Sequence, residues 1–236
     1  MSTITVLLCD DHDVVRQGLR MLLGAARDIR VVGEAENGHR AVEETKKLRP
    51  EVILLDVAMP RLNGLEAARQ IAMAVPSARV LILSSYSDEY FVQQAIEAGA
   101  AGYVTKEAAG SDVCQAIREV HNGHAFFSPL ILKRLLKLWL GRELRLETET
   151  PPRLTSRQIE VLQLIAEGYA SKQIAGLLSL TTKTVEKHRQ SLLEKIDCHN
   201  IASLTRYAIT NGVVELNIPP TIPAISCSGD GRQPND

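Results

Sequence analysis

Hydrophobic residues in the first half of the chain form short, almost continuous runs that alternate with segments of helical period. The runs are rich in Val, Ile and Leu, as in strands that are covered on both faces of a parallel sheet. They occupy residues 4–9, 29–35, 51–56, 79–84 and 101–105. Between the runs, apolar residues recur at helical spacing, for example at Val15, Leu19 and Leu22. This alternation predicts an α/β doubly wound, five-stranded parallel sheet; in the order 2-1-3-4-5, strands 1 and 3 would flank its topological switch point.

The second half of the chain has helical periods only. A helix over about 156–167, a second from about 171 and a third that ends near 196 predict a small all-α helix-turn-helix domain.

These patterns divide the chain into four segments. Residues 1–127 form the α/β domain, and residues 128–149 form a linker whose first half has a helical pattern. Residues 150–214 form the helical domain. The remaining segment, 215–236, is rich in Pro, Gly and Ser, so we expect it to be disordered.

Composition limits the partners and the location. The net charge is −1, but residues 1–127 carry 13 Lys+Arg against 17 Asp+Glu, whereas residues 151–217 carry 8 against 6. The excess of basic residues in the second half permits nucleic-acid binding there. The chain has four scattered cysteines with no metal-ligand spacing, and we expect neither a signal peptide nor a membrane span. We therefore expect a cytoplasmic protein with no membrane partner.

Polar residues stand where the predicted strands end. Asp10 and Asp11 follow the first run, and Asp56 ends the third. Ser84 ends the fourth run, and Lys106 follows the fifth. The carboxyl ends of parallel strands meet at one crevice, so these groups should lie close together. Each one alone is equally well explained as a solvated turn residue, but five in order predict a site.

The residue types at this site suit phosphoryl transfer to a carboxylate. Three close carboxylates repel one another unless a cation compensates, and oxygen ligands suit Mg²⁺. Lys106 and Ser84 would bind phosphoryl oxygens, and Asp56, on the central strand, is the best nucleophile. We predict no Ser-His-Asp or nucleotide-binding site.

Four sequence motifs resemble those of the receiver domain of bacterial response regulators, which has a flavodoxin-like fold, and the resemblance covers about residues 4–122. The motifs are DD near the start, LLDVAMPRLNG, LILSS and AIEAGAAGYVTK. The resemblance implies that a sensor histidine kinase phosphorylates Asp56. It implies that Mg²⁺ binds to Asp10, Asp11, Asp56 and the backbone carbonyl of Ala58. It also implies that Ser84 and Lys106 hold the phosphoryl group, and that Tyr103 moves inward with Ser84 on activation.

The third helix of the second domain has two faces. At 100° per residue, Val185, Leu192 and Ile196 point inward. The side chains near the opposite face, with Arg189 on the flank, are Lys183, Glu186, Lys187 and Gln190. Lys and Gln near a helix N-terminus can contact base edges, although a solvated polar face has the same pattern.

The segment LTSRQIEVLQLIAEGYASKQIAGLLSLTTKTVEKH resembles the LuxR-type DNA-binding domain, over about residues 150–214. The resemblance implies that the helix within NIASLTRYAIT supplies a dimer contact on DNA. It implies backbone contacts by Lys172 and Arg189. It places the following residues on the DNA side: Lys183, Thr184, Val185, Glu186, Lys187 and Gln190.

The two resemblances together predict a two-component response regulator of the NarL/FixJ type, a transcription factor that binds promoter DNA as a homodimer. RNA polymerase is a further candidate partner. We expect no enzyme activity beyond phosphoryl transfer to Asp56 and hydrolysis from it. We also expect the unphosphorylated receiver to mask the third helix of the DNA-binding domain.

Three alternatives remain open at this point. An aspartate-nucleophile phosphatase would use the same acids, but Ala58 stands where such enzymes need a second acid. A phosphorylation-dependent adaptor would bind protein through its helical domain. A third alternative is a regulator that works without phosphate.

Overall fold

The computed structural model describes residues 3–85, 87, 89–108, 110–129, 131–133, 135 and 154–214. Residues 136–149 of the predicted linker and the predicted tail, 215–236, lie outside the described residues. Most of each predicted domain, 1–127 and 150–214, falls within the described residues.

The first domain is a parallel sheet with helices on both faces. Its strands are β1 (Ile4–Cys9), β2 (Ile29–Ala35), β3 (Val52–Asp56), β4 (Arg79–Ser84), β5 (Gly102–Thr105) and β6 (Phe126–Phe127). Its helices are α1 (Asp13–Gly24), α2 (Gly38–Leu48), α3 (Gly64–Ala74), α4 (Glu89–Glu97) and α5 (Gly110–His121). The strand order is β2-β1-β3-β4-β5-β6, so the predicted fold class and strand order are confirmed. The two-residue strand β6 extends the predicted five strands by one.

Two apolar clusters cover the faces of this sheet. Alternate residues of each strand point to opposite faces, so Ile53 and Leu55 of β3 enter one cluster and Val52 and Leu54 enter the other. Every residue of β3 is buried, as the continuous apolar run predicts for a central strand. Asp56, the last residue of β3, is thereby fixed at the sheet's carboxyl edge.

The second domain consists of four helices around its own apolar core. These are α6 (Ser156–Ala166), α7 (Ser171–Leu177), α8 (Thr182–Ile196) and α9 (Ile201–Thr210). Thr155 and Gln158 form a capping box at the start of α6, and the Thr181 side chain accepts a hydrogen bond from the Thr184 N–H at the start of α8. Val185 and Leu192 of α8 are buried in the core. The pair α7–α8 is the predicted helix-turn-helix.

Direct hydrogen bonds join the two domains. The loop between β3 and α3, residues 57–63, lies against α6: Asn63 N donates to Gln163 Oε1 at 2.8 Å, and Gln163 Nε2 donates to Met59 O at 2.9 Å. Gln70 of α3 donates to Glu160 of α6 at 2.9 Å. Within the part of the chain that the structure describes, no helix is long and apolar enough to cross a membrane.

Candidate functional site

The strand register brings the predicted acids together. Cys9 of β1 pairs with Leu55 of β3, so the residues that follow them, Asp10 and Asp56, are neighbours at the carboxyl edge. Ser84 of β4 pairs with Thr105 of β5, so Ser84 lies beside the backbone that leads into Lys106. The parallel register of neighbouring strands therefore brings these polar groups to one edge of the sheet.

The Lys106 ammonium group bridges two of the carboxylates. Its Nζ lies 2.7 Å from Asp10 Oδ2 and 2.9 Å from Asp56 Oδ2. Asp10 and Asp56 are almost completely buried, whereas Asp11 is partly exposed. A single cation therefore compensates part of the negative charge of a buried carboxylate cluster.

Burial has a direct effect on Asp56. It raises the pKa of the Asp56 carboxyl to about 6; the Lys106 ammonium group opposes this shift, and the Asp10 and Asp11 carboxylates add to it. Burial alone would lower the pKa of Lys106, but the Asp56 and Asp10 carboxylates outweigh it and raise that pKa. The electrostatics therefore favour a charged lysine, and they make ionisation of Asp56 less favourable than that of an ordinary aspartate.

The donor atoms fit a hard divalent cation. One oxygen or ring nitrogen from each of Asp10, Asp11, His12 and Asp56 lies within 4.8 Å of the others. Among the described residues, Asp10 Oδ2 and Asp11 Oδ1 are buried without a well-directed hydrogen bond, although Lys106 Nζ and His12 Nδ1 lie within 3 Å of them. Carboxylate-rich sites of this kind suit Mg²⁺. Ala58 is partly exposed just after β3, and its carbonyl as a ligand stays a prediction.

His12 was not among the residues predicted from the sequence. Its Nδ1 lies 2.8 Å from Asp11 Oδ1 and 3.4 Å from Asp10 Oδ1. Its N–H also donates to Asp10 Oδ1 at 2.8 Å, which helps to orient that carboxylate. The only signal in the sequence was its position directly after the two acids.

The two predicted switch residues, Ser84 and Tyr103, are already buried. Both have a relative exposure of 0%, and Tyr103 belongs to one of the two apolar clusters of the sheet. The inward position that we expected after activation is therefore present in this structure.

The predicted DNA-contacting face of α8 is largely open. The side chains of Lys183, Glu186, Lys187 and Gln190 on α8 are exposed, and Lys172 of α7 is also exposed. Thr184 is half-buried, and its hydroxyl lies 2.8 Å from that of the N-cap residue Thr181. Arg189 forms a hydrogen bond within the domain, because its Nη1 donates to Ser171 Oγ at 2.7 Å.

The structure corrects two expectations about α8. Val185 has a relative exposure of 0% and packs in the core, so its predicted place on the DNA side is wrong; the 100° spacing that groups it with Leu192 gives its true orientation. The expected masking of α8 by the receiver is also wrong for this structure. Among the described residues, the hydrogen bonds from the first domain reach α6 and Val213, which follows α9, and the polar face of α8 is exposed.

Comparison with known proteins matches each half of the chain to a family. The family "Response regulator receiver domain" matches residues 6–118, and "Bacterial regulatory proteins, luxR family" matches residues 152–208. The chain is 33% identical over 213 residues to response regulator protein VraR of Staphylococcus aureus, with 90% of this chain and 100% of VraR covered.

Two solved structures of the response regulator RcsB are similar to the whole chain. One, from Salmonella typhimurium, shares 26% identity with a TM-score of 0.55 and covers 88% of this chain and 98% of RcsB. The other is an RcsB–DNA complex, with 25% identity, a TM-score of 0.55, and 87% and 98% coverage.

Proposed function

The chain belongs to the two-component response regulators that join a receiver domain to a LuxR-family DNA-binding domain, and we propose that phosphorylation of Asp56 controls its action on promoter DNA. The observation that carries the proposal is the bridge of Lys106 Nζ between Asp10 and Asp56, inside a cluster of buried carboxylates. Neither half of the chain alone accounts for both the buried acidic site and the exposed polar helix. Because bacterial promoter DNA is cytoplasmic, we place the protein there.

The proposed chemistry is attack by a carboxylate oxygen of Asp56 on a phosphorus atom. A new O–P bond forms to Asp56, and the P–N bond to the donor histidine breaks, so the imidazole leaves and takes up a proton. Mg²⁺, held by Asp10, Asp11, Asp56 and the Ala58 carbonyl, would neutralise charge on the phosphoryl oxygens. Lys106 would donate to one of those oxygens, and Ser84 to another. Asp56 would accept the group and later lose it to water, with no turnover of an external substrate.

The readout would be binding of two copies to a two-fold operator. One domain with a small positive charge binds DNA weakly, and pairing of two copies increases affinity and selects the spacing of half-sites. The solved RcsB–DNA complex supports DNA binding by analogy. Lys187 and Gln190 are proposed as base readers, and Lys172 and Arg189 as phosphate contacts.

The test is labelling of the purified full-length protein with acetyl phosphate and Mg²⁺, followed by intact mass. One phosphoryl group should be added in the parent and none in Asp56→Asn. The labelled parent should then bind genomic promoter fragments more tightly than the Asn variant. Addition of a phosphoryl group to Asp56→Asn, or identical DNA binding by both proteins, would contradict the proposal.

A further inference from the structure

The Gln163 side chain belongs to the DNA-binding domain, but it binds the receiver. It has a relative exposure of 1%, and its amide is fully used. Its Nε2 donates to Met59 O at 2.9 Å and to Glu167 Oε1 at 2.8 Å. Its Oε1 accepts from Asn63 N at 2.8 Å. A buried amide with these partners holds its neighbours in place, because loss of any one leaves an unpaired polar group.

The two receiver groups that Gln163 binds belong to the loop that leaves the phosphoacceptor. This loop, residues 57–63, begins directly after Asp56 and contains Ala58, whose carbonyl is a predicted Mg²⁺ ligand. Met59, whose carbonyl accepts the Gln163 bond, is the next residue. A change in the position of Met59 would therefore shift the adjacent Ala58 carbonyl, which would bind the metal.

The loop is held in a conformation that it would not readily adopt alone. Arg61 has a φ of 68°, in the left-handed region that disfavours side chains other than Gly. The N–H of Arg61 donates to Glu167 Oε1 at 3.0 Å, so α6 supports the strained residue directly. At the end of the loop, the Asn63 side chain caps α3 by accepting from Glu66 N at 2.9 Å, and its amide donates to Val213 O at 3.3 Å. The DNA-binding domain thus contacts the loop at Met59, Arg61 and Asn63.

We propose that Gln163 is a positioning residue for phosphoryl transfer: through Met59 and Asn63 it restrains the loop after Asp56 and slows phosphorylation while the domains are docked. The inference rests on the proposed function, because it assumes that Asp56 is the phosphoacceptor. Binding of metal and phosphoryl group requires the Ala58 carbonyl to adjust, and a loop clamped on both sides of Arg61 resists that adjustment. At equilibrium the coupling is reciprocal: if the docked contact disfavours the phosphorylated state of Asp56, phosphorylation disfavours the Gln163 contact by the same free energy, and this equality does not extend to the labelling rate.

The experiment compares four full-length proteins: the parent, Gln163→Ala, Gln163→Glu and Gln70→Ala. Gln163→Glu keeps an acceptor for Asn63 N, but a carboxylate cannot donate to Met59 O. Gln70→Ala removes a bond between the domains, that to Glu160, without touching the loop. Initial rates of labelling by acetyl phosphate are measured at saturating Mg²⁺, and hydrogen exchange of the peptide covering 57–63 reports on the loop.

Both Gln163 variants should label at least about fivefold faster than the parent, the lower end of usual coupling between sites. Their loop amides should exchange faster before any donor is added, and Gln70→Ala should stay within about twofold of the parent in both measurements. Parent protein that is phosphorylated should show the same faster exchange.

Three results would overturn the proposal. Labelling of Gln163→Ala at the parent rate would show that the loop contact does not act on Asp56. An equal acceleration in Gln70→Ala would assign the effect to domain docking as a whole. Unchanged loop exchange in both Gln163 variants would show that the amide does not restrain the loop. Failure of the parent itself to label would instead refute the proposed function, and this inference with it.

Discussion

Gly64 packs directly against the backbone carbonyl of Asp56. A Cβ atom at position 64 would lie 1.8 Å from Asp56 O and 3.0 Å from Val57 Cα, and neither backbone atom can move without displacing the end of β3. The Gly64 N–H donates to Val57 O at 2.8 Å, which closes the loop that follows Asp56. The absence of a side chain at position 64 is therefore what permits this close turn.

Gly64→Ala should destabilise the protein and impair the site together. Forcing an atom into a filled space costs about 1–3 kcal/mol or more of unfolding free energy. Because the displaced atoms belong to Asp56 and Val57, phosphorylation by acetyl phosphate should also fall. Urea unfolding and intact mass after labelling measure the two effects.

Gly18→Ala is the matched control. Gly18 lies in α1 and has no heavy atom within 4 Å of an added Cβ. In a helix interior the substitution should stabilise the protein by roughly 0.5–1 kcal/mol and leave labelling unchanged. Equal destabilisation by both substitutions would show that the Gly64–Asp56 contact is not the cause.

The raised pKa of Asp56 makes stability depend on pH in a defined direction. With a pKa of about 6 against an ordinary value of 3.8, the folded protein retains a proton that the unfolded chain releases between these two values. Relative to Asp56→Asn, the parent should therefore lose stability as pH rises from about 4 to 6. Above pH 6 the Asn variant should be more stable by roughly 2–3 kcal/mol without metal. Thermal or urea unfolding in EDTA at several pH values measures this difference.

Two further measurements support that assignment. Mg²⁺ should stabilise the parent more than the Asn variant, because it binds the ionised carboxylate. The stability difference between the parent and Asp28→Asn should change with pH in the opposite direction. The hydrogen bond from Arg118 lowers the pKa of Asp28 to about 2, so the stability that ionised Asp28 contributes is lost as pH falls. A stability difference between the parent and Asp56→Asn that does not change with pH would contradict the prediction.

Lys187→Ala should weaken DNA binding, because Lys187 is exposed on the polar face of α8. If Lys187 binds a base edge, the loss should be about 1–3 kcal/mol and concentrated at one operator position. If it binds a phosphate, the loss should be uniform across sequences and the salt dependence should decrease by about one counterion. Titration of a labelled operator at several salt concentrations separates these outcomes.

Lys47→Ala is the control for charge. Lys47 is exposed on α2 of the receiver, so the substitution removes the same charge away from the proposed DNA surface. Lys47→Ala should keep its affinity for DNA within about twofold of the parent's, because salt at physiological concentration screens distant charges. Equal losses in the two variants would indicate that total charge, and not the face of α8, determines binding.

Ile201→Asp tests the proposed dimer contact of α9. Ile201 is the first residue of that helix and has a relative exposure of 49%. An acidic residue in the first turn of a helix is favourable, so the fold should be retained. Pairing should weaken, which would lower the cooperativity of binding to a two-site operator more than the affinity for one half-site. Analytical ultracentrifugation with DNA measures both, and unchanged pairing would place the dimer contact elsewhere.

Sequence patterns predicted what depends on local periodicity. Runs such as residues 51–56 predicted buried strands, and the strand ends predicted the convergence of Asp56 with Lys106. The inner face of α8 followed from the spacing of Val185 and Leu192. These features are dictated by alternation along strands and by 3.6 residues per turn.

The missed features depend on contacts between distant segments. The role of Gln163 is set by partners about 100 residues away, and nothing in its neighbours along the chain distinguishes it from an exposed glutamine. Strand β6 has only two residues, too short for an alternating pattern. The mistaken masking of α8 has the same origin, because no periodicity specifies which face of one domain meets the other.

The hydrogen bonds that join the two domains are made by amide, carboxylate and backbone groups, with Phe91 of α4 beside Gly212 as an apolar addition. Water can replace each of these polar partners when they separate, so the net free energy that each hydrogen bond contributes to docking is small. Polar contacts of this kind would allow the two halves to part and rejoin, as a regulator needs if it is to return to its resting state after the signal ends.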